Sequence, residues 1–164
     1  SLPHLLWFMM TKDTIPNIPV SFFDFKKLKI LLLNENDLGE ISVEVGKLKK
    51  LIILEIGSNN LKEIPASILE LKKLKLFYFP NNQIVELPEE MGSLKKLKII
   101  NVKENQITKI PSSVGELKNL TKLILPYNKI KEIPENIGDA NKLVLIDLAN
   151  NEIEKIPKNI NKKN

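Results

Sequence analysis

The sequence predicts an α/β solenoid, in which short strands and short helical turns alternate along a regular coil. An apolar pattern returns every 23 residues, and an Asn and a Pro return with it at fixed positions. Fixed periods of this kind are typical of solenoids, because each unit buries its apolar face only against its neighbours. Seven repeats follow from the leucines and begin at residues 5, 28, 51, 74, 97, 120 and 143.

The opening residues of each repeat predict a strand. The repeat at residues 97–119 reads LKIINVKENQITKIPSSVGELKN, with apolar side chains at Ile100 and Val102 around Asn101. Successive side chains of a strand point to opposite faces, so Ile100 and Val102 are expected inside and Asn101 outside. A strand this short cannot bury its inner face alone, and the repeats therefore have to stack.

The ninth position of each repeat predicts a sharp bend with a structural role. It holds an amide in six repeats and a carboxylate in the first: Asp13, Asn36, Asn59, Asn82, Asn105, Asn128 and Asn151. An Asn side chain both donates and accepts, so a stacked row of them can satisfy the backbone groups of successive bends. Asp13 can only accept, and we expect the first bend to be less well satisfied.

The fifteenth position predicts a short α-helical or 3-10 turn on the side opposite the strands. It is proline in all repeats but the second, where Ser42 stands: Pro19, Pro65, Pro88, Pro111, Pro134 and Pro157. Proline suits the first turn of a helix, where the missing N–H costs little. Acidic residues follow it in PEEMG and PENIG, as suits the beginning of a helix.

With this pattern the chain resembles leucine-rich repeat proteins over essentially its whole length. The 23-residue unit and its I-P-x-x-I-G-x-L half resemble the Ras-group subclass. The resemblance implies one domain over residues 1–164, a right-handed horseshoe with a concave parallel sheet of about seven strands and convex helical or 3-10 turns. It also implies a non-catalytic scaffold for protein–protein interaction in cytoplasmic signalling. The alternative is a recognition or regulatory arm of a larger kinase, phosphatase or GTPase.

Composition argues against several functions. All 25 basic residues are Lys, and Arg is the residue that reads bases and phosphates bidentately, so nucleic-acid binding is not expected. The chain has no Cys, one histidine at His4 and no nucleotide-binding loop, so we predict no catalytic residue, no cofactor and no metal site. No apolar stretch is long enough to span a bilayer.

The strands predict a protein-binding surface. Positions 3, 5, 7 and 8 of each repeat should face the concave side, where apolar and aromatic side chains are common and typical of partner sites. The alternative is that the third position only reinforces the sheet. Seven strands about 4.8 Å apart span roughly 29 Å, enough for a standard interface. The predicted partner-binding residues are Trp7, Met9, Leu32, Glu55, Tyr78, Asn101, Ile124, Tyr127 and Asp147.

Lysines just before each strand predict a basic ridge along one edge of the solenoid. They are Lys26, Lys27, Lys49, Lys50, Lys72, Lys73, Lys95, Lys96, Lys118 and Lys142. A ridge of this kind contacts anionic lipid or an acidic protein, or it is a solvated edge that aids solubility.

The two ends of the chain carry different expectations. The apolar run LLWFMM at residues 5–10 is too short for a signal sequence and is predicted to be the first strand. Leu2 falls on position 21 of a preceding unit, so an upstream repeat or end-to-end self-association at an uncapped N-terminus is expected. The last repeat becomes polar, with Lys163 where Leu is expected, and is interpreted as a minimal cap or a chain end.

Overall fold

The computed structural model describes residues 2–161, which form a seven-stranded parallel sheet whose strands follow chain order. The register advances by one repeat from strand to strand, so that Trp7 pairs with Ile30 and Ile30 with Ile53. The predicted stack of about seven short parallel strands is confirmed. The strands are β1 (Trp7–Met9), β2 (Ile30–Leu32), β3 (Ile53–Glu55), β4 (Leu76–Tyr78), β5 (Ile99–Asn101), β6 (Lys122–Ile124) and β7 (Leu145–Asp147).

The turns on the other side of the coil are 3-10 helices. Pro19, Pro65 and Pro111 directly precede three of them, with φ of −61°, −66° and −58°, the angle that the proline ring imposes. In the second repeat the hydroxyl of Ser42 accepts a hydrogen bond from the N–H of Glu44 at 3.2 Å and caps the turn instead. The 3-10 helices are Val20–Asp24, Val43–Lys47, Ala66–Glu70, Met91–Ser93, Ser112–Glu116 and Ile137–Asp139.

The core is a continuous, mainly aliphatic column between the sheet and the 3-10 helices. Ile100 and Val102 are fully buried, as the alternation in the fifth repeat predicts. Aromatic side chains concentrate in the first repeat, where the rings of Phe8 and Phe22 meet edge to face with centroids 4.8 Å apart. Edge-to-face contact is a favoured geometry for aromatic pairs, so this contact helps to stabilise the first coil.

Both outermost coils of the described chain leave core positions partly open. Phe8 and Ile146 are half-buried, whereas Leu31 and Leu123 at the same position of the adjacent repeats are almost fully buried. A terminal repeat has a neighbour on one side only, which accounts for the difference. Lys163, which bears on the predicted cap, lies outside the described residues.

The eighth position of every repeat adopts the left-handed backbone conformation, although none of its residues is glycine. Its N–H still bonds to the next repeat, as from Tyr127 to the carbonyl of Ala149 at 2.9 Å. The chain therefore turns out of the strand without interrupting the hydrogen bonds between repeats. The residues, with φ between 53° and 62°, are Lys12, Glu35, Ser58, Asn81, Glu104, Tyr127 and Asn150.

Close stacking of the 3-10 helices depends on glycine. A Cβ on Gly46 would lie 2.8 Å from the carbonyl oxygen of Ser67, and one on Gly92 would overlap the carbonyl of Ser113. Both glycines occupy the nineteenth position of their repeats. The absence of a side chain there lets one coil lie directly on the next.

Candidate binding surface

The concave face is built from the third and fifth residues of each repeat, which point away from the core. Because neighbouring strands pair in register, the fifth residues form one continuous row across the sheet. That row contains Met9, Leu32, Glu55, Tyr78, Asn101, Ile124 and Asp147. The structure therefore aligns on one surface seven of the nine residues that the sequence predicts for partner binding.

Apolar side chains dominate the part of this face nearest the N-terminus. Trp7 and Met9 are each 70% exposed, and Leu32 beside them is half-buried. Tyr78 and Ile124 are also half-buried, so they keep part of their side chains accessible. Apolar surface of this extent on a sheet is typical of a site that another molecule covers.

A fixed carboxylate interrupts the apolar row. The Asn34 side chain donates a hydrogen bond from Nδ2 to Oε2 of Glu55 at 2.9 Å, and its Oδ1 accepts one from the N–H of Gly57 at 2.6 Å. Glu55 is half-buried, and Asn34 restricts its orientation. A partner with a donor opposite Glu55 would thus meet an ordered acceptor.

Two predicted residues offer less to a partner than their positions indicate. Asn101 is only 9% exposed, because its register neighbours Tyr78 and Ile124 are larger and flank it on both sides. Its Oδ1 accepts a hydrogen bond from the N–H of Lys103 at 3.2 Å. Likewise Oδ1 of Asp147 accepts one from the N–H of Ala149 at 3.1 Å.

Tyr127 lies beyond the strands, at the eighth position of the sixth repeat. Its side chain is 57% exposed and belongs to the row of left-handed residues that borders the sheet. Trp7, at the third position, lies at the opposite end of the face on β1. The two aromatic residues are therefore separated by most of the length of the sheet.

The row of asparagines at the ninth position joins each repeat to the one before it. Asn59 donates from Nδ2 to the carbonyl of Leu33 in the preceding repeat at 2.8 Å. In the next repeat Oδ1 of Asn82 accepts from the N–H groups of Asn59 and Leu61 at 2.9 and 3.0 Å. These amides are buried and engaged with the backbone, so they stabilise the coil and present nothing to a partner.

The first two repeats are joined less completely. Oδ1 of Asn36 is buried and has no hydrogen-bond partner among residues 2–161. Asp13 is exposed, and no hydrogen bond of its side chain is found in the same part of the chain. A cavity of about 50 Å³ lies at this junction, bordered by Phe23, Leu31 and Leu38. The contact between repeats 1 and 2 therefore combines an unsatisfied amide oxygen with imperfect packing.

Chemical groups for catalysis or metal binding are sparse. His4 is exposed, and its Nδ1 lies 2.9 Å from Nζ of Lys27. Over residues 2–161, no three acidic or histidine side chains come together in a way that could hold a metal ion. None of the helices in that stretch has the length and apolarity needed to cross a membrane.

Comparison with known proteins agrees with the geometry. Residues 72–130 match the leucine-rich repeat family model. A leucine-rich repeat protein of Leptospira interrogans has a solved structure that is 35% identical, with a TM-score of 0.92, over 97% of this chain and 41% of that one. An internalin of Listeria monocytogenes is 26% identical, with a TM-score of 0.81, over 94% of this chain and 44% of its own.

The Arabidopsis receptor kinase HAESA, solved in complex with the peptide hormone IDA and the co-receptor SERK1, gives a third match. It is 27% identical, with a TM-score of 0.79, over 90% of this chain and 30% of that chain. The search of curated proteins finds no significant match. By its repeats, its register and its solved neighbours, the chain belongs to the leucine-rich repeat proteins. It spans less than half the length of each of these three solved chains.

Proposed function

We propose that this chain is a non-catalytic protein-interaction module that binds a protein partner on its concave face. The observation that carries the proposal is the accessible apolar surface of the concave face, to which Trp7 and Met9 contribute exposed side chains and Leu32 and Tyr78 half-buried ones. Tryptophan and tyrosine dominate the binding energy of many protein interfaces. A partner bound over these side chains would remove apolar surface from water across several repeats at once.

The solved neighbours support a role in binding. HAESA is a receptor kinase whose crystal structure was determined in complex with a peptide hormone and a co-receptor. Because HAESA is a receptor kinase, the recognition or regulatory arm of a larger signalling enzyme is the second candidate. Both candidates use the same concave surface and differ in what the surface is attached to.

The test uses affinity purification from the native source, followed by mass spectrometry and a binding measurement with the purified partner. The test variant is Trp7→Ala, Met9→Ala and Tyr78→Ala together. The control variant is Val20→Ala, Val43→Ala and Val85→Ala, which truncates three exposed apolar residues outside the strands. Loss of one interface anchor costs about 2 kcal/mol or more, so the test variant is expected to raise Kd by at least about a hundredfold.

The control variant should bind within a few-fold of the unmodified chain. Equal affinity of the test variant and the unmodified chain would remove the concave face as the binding surface. Equal loss of affinity in both variants would point to general destabilisation or to a site elsewhere. A thermal unfolding curve of each variant separates those two explanations.

A further inference from the structure

Lysines at the edge where the strands begin form two sets that differ in their partners. The outer set contacts the following repeat: Nζ of Lys49 lies 2.8 Å from Oε2 of Glu70, and Nζ of Lys95 lies 2.8 Å from Oε2 of Glu116. Lys72 occupies the same position and donates to the hydroxyl of Ser93 at 3.2 Å. Two of these three lysines are thus directly neutralised by a carboxylate.

The second set is not neutralised. It comprises the lysines at the last position of repeats 1 to 4 and at the second position of repeats 2, 4 and 5, which we call the inner lysine face. All of them are exposed, and none forms an ion pair with a carboxylate among residues 2–161. The inner lysine face consists of Lys27, Lys29, Lys50, Lys73, Lys75, Lys96 and Lys98.

Members of the inner lysine face act on one another electrostatically. The neighbouring charge of Lys50 lowers the pKa of Lys73 below its ordinary value, and Lys96 and Lys29 add to the effect. A lysine surrounded by like charges releases its proton more readily because protonation adds to the repulsion. A nearby anionic surface would relieve that repulsion.

The arrangement of these lysines is two-dimensional. The backbone N–H of Lys98 bonds to the carbonyl of Lys75 at 2.8 Å, which places the second-position residues of these consecutive repeats side by side. Strands in register begin at the same level, so lysines from four successive repeats occupy one edge of the sheet. At a strand spacing of about 4.8 Å, four repeats extend over roughly 14 Å.

The chemistry and shape of the array fit one kind of partner. It presents ammonium groups in two rows and no guanidinium, the group that nucleic-acid sites use for bidentate contacts. A linear acidic peptide would engage one row, whereas an extended anionic plane engages both. Groups of four to eight basic residues are typical of surfaces that bind anionic lipids.

We propose that the inner lysine face binds the surface of an anionic lipid bilayer electrostatically, independently of the concave sheet. The headgroups of phosphatidylserine supply negative charge over the whole plane that the two rows cover. The concave sheet lies on a different side of the strands and stays open to a partner.

Co-sedimentation of the full chain with vesicles tests this proposal. Vesicles of phosphatidylserine and phosphatidylcholine should bind the chain, vesicles of phosphatidylcholine alone should not, and added salt should weaken the binding. Lys50→Gln, Lys73→Gln and Lys96→Gln together should lower the partition coefficient about a hundredfold, since each lysine near the surface contributes about fivefold. The control variant removes the same net charge from positions 12 and 13 of the repeats, between the asparagine and the proline. It carries Lys109→Gln, Lys131→Gln and Lys155→Gln.

The control variant should lose no more than a few-fold in binding. Equal losses in the two variants would show that net charge acts without this surface, and the proposal would fail. Equal sedimentation of the unmodified chain with both kinds of vesicle would also overturn it, as would binding to polyglutamate without binding to anionic vesicles. The concave variant at Trp7, Met9 and Tyr78 should retain vesicle binding, which separates this test from that of the proposed protein interface.

Discussion

The side-chain oxygen of Asn82 accepts a hydrogen bond from the backbone N–H of Leu61, 3.0 Å away in the preceding repeat. The amide nitrogen of the same side chain donates to the carbonyl of Ile56, also in that repeat, at 2.9 Å. One buried amide thus satisfies both a donor and an acceptor of its neighbour. Each of these bends is consequently stabilised by hydrogen bonds from the side chain of the following repeat as well as by hydrogen bonds within its own repeat.

Removing this amide should destabilise the coil. Asn82→Ala leaves buried backbone groups of Ile56, Asn59 and Leu61 without their partner, and each unsatisfied group costs about 1–3 kcal/mol. We expect the free energy of unfolding to fall by about 3 kcal/mol or more in urea denaturation. Gln83→Ala, at the exposed neighbouring position, should change it by less than about 0.5 kcal/mol. Similar values for the two variants would contradict this account of the amide row.

The stacking of the 3-10 helices gives a second prediction. Gly92→Ala should lower the free energy of unfolding by about 2–3 kcal/mol, because the added methyl group overlaps the carbonyl of Ser113. Gly39→Ala provides the comparison, since nothing lies within 4 Å of its Cβ position and only its φ of +68° opposes the change. That variant should lose about 1 kcal/mol. A smaller loss at Gly92 than at Gly39 would mean that the coils are not held at this spacing.

Tyr127 is expected to show opposite effects on stability and on binding. Its φ of 56° is unfavourable for a tyrosine, whereas Asn81 and Asn150 occupy the same position with the residue type that tolerates this conformation best after glycine. Tyr127→Asn should raise the urea midpoint by an amount equivalent to about 0.5 kcal/mol, because the exposed ring contributes little to the core. The same change should weaken partner binding in the affinity measurement. A lower urea midpoint would show that the ring stabilises the repeat in a way that its exposure does not reveal.

The ion pair between Lys49 and Glu70 gives a prediction on pH dependence. The hydrogen bond and the charge of Lys49 lower the pKa of Glu70 from its ordinary value of 4.5. Because the folded pKa lies below the unfolded one, the pair stabilises the fold fully above the unfolded value and loses this effect as the pH falls through the folded value.

Lys49→Gln should therefore raise the pKa of Glu70 toward 4.5, as measured by NMR titration of the side-chain carboxyl. Lys50→Gln, one residue away, should leave the titration of Glu70 nearly unchanged, because Lys50 belongs to the inner lysine face and not to this pair. A shift of the same size in both variants would mean that general positive charge, and not this contact, sets the pKa of Glu70.

The periodic parts of the fold could be predicted from the sequence because they depend on spacing. Leu51, Leu74 and Leu97 are 23 residues apart and occupy the same buried position of successive coils. The amide of Asn59 and the proline at Pro65 mark the bend and the turn in the same way. In a stack of similar units each repeat makes the same contacts with its neighbours, so the structure of one well-defined repeat predicts that of the others.

The features that depend on neighbours in three dimensions could not be predicted in the same way. Lys49 and Lys50 are adjacent in the sequence, yet only the first reaches a carboxylate in the following repeat. Asn101 lies at an outward position of its strand, yet it is only 9% exposed between its larger register neighbours Tyr78 and Ile124. Pairing and exposure of this kind follow from side-chain size in the adjacent coils, which a pattern within one repeat does not contain.

The 23-residue register also makes the length of the molecule adjustable in whole units. Excision of residues 74–96 would place Lys73 directly before Leu97, where Lys96 stands now. It would also place Leu54 opposite Ile100 in the sheet. Each remaining repeat would still stack on repeats of the same 23-residue pattern, and each terminal repeat would still have one neighbour. Gain or loss of a unit would thus lengthen or shorten the concave surface by one strand, without requiring a new core.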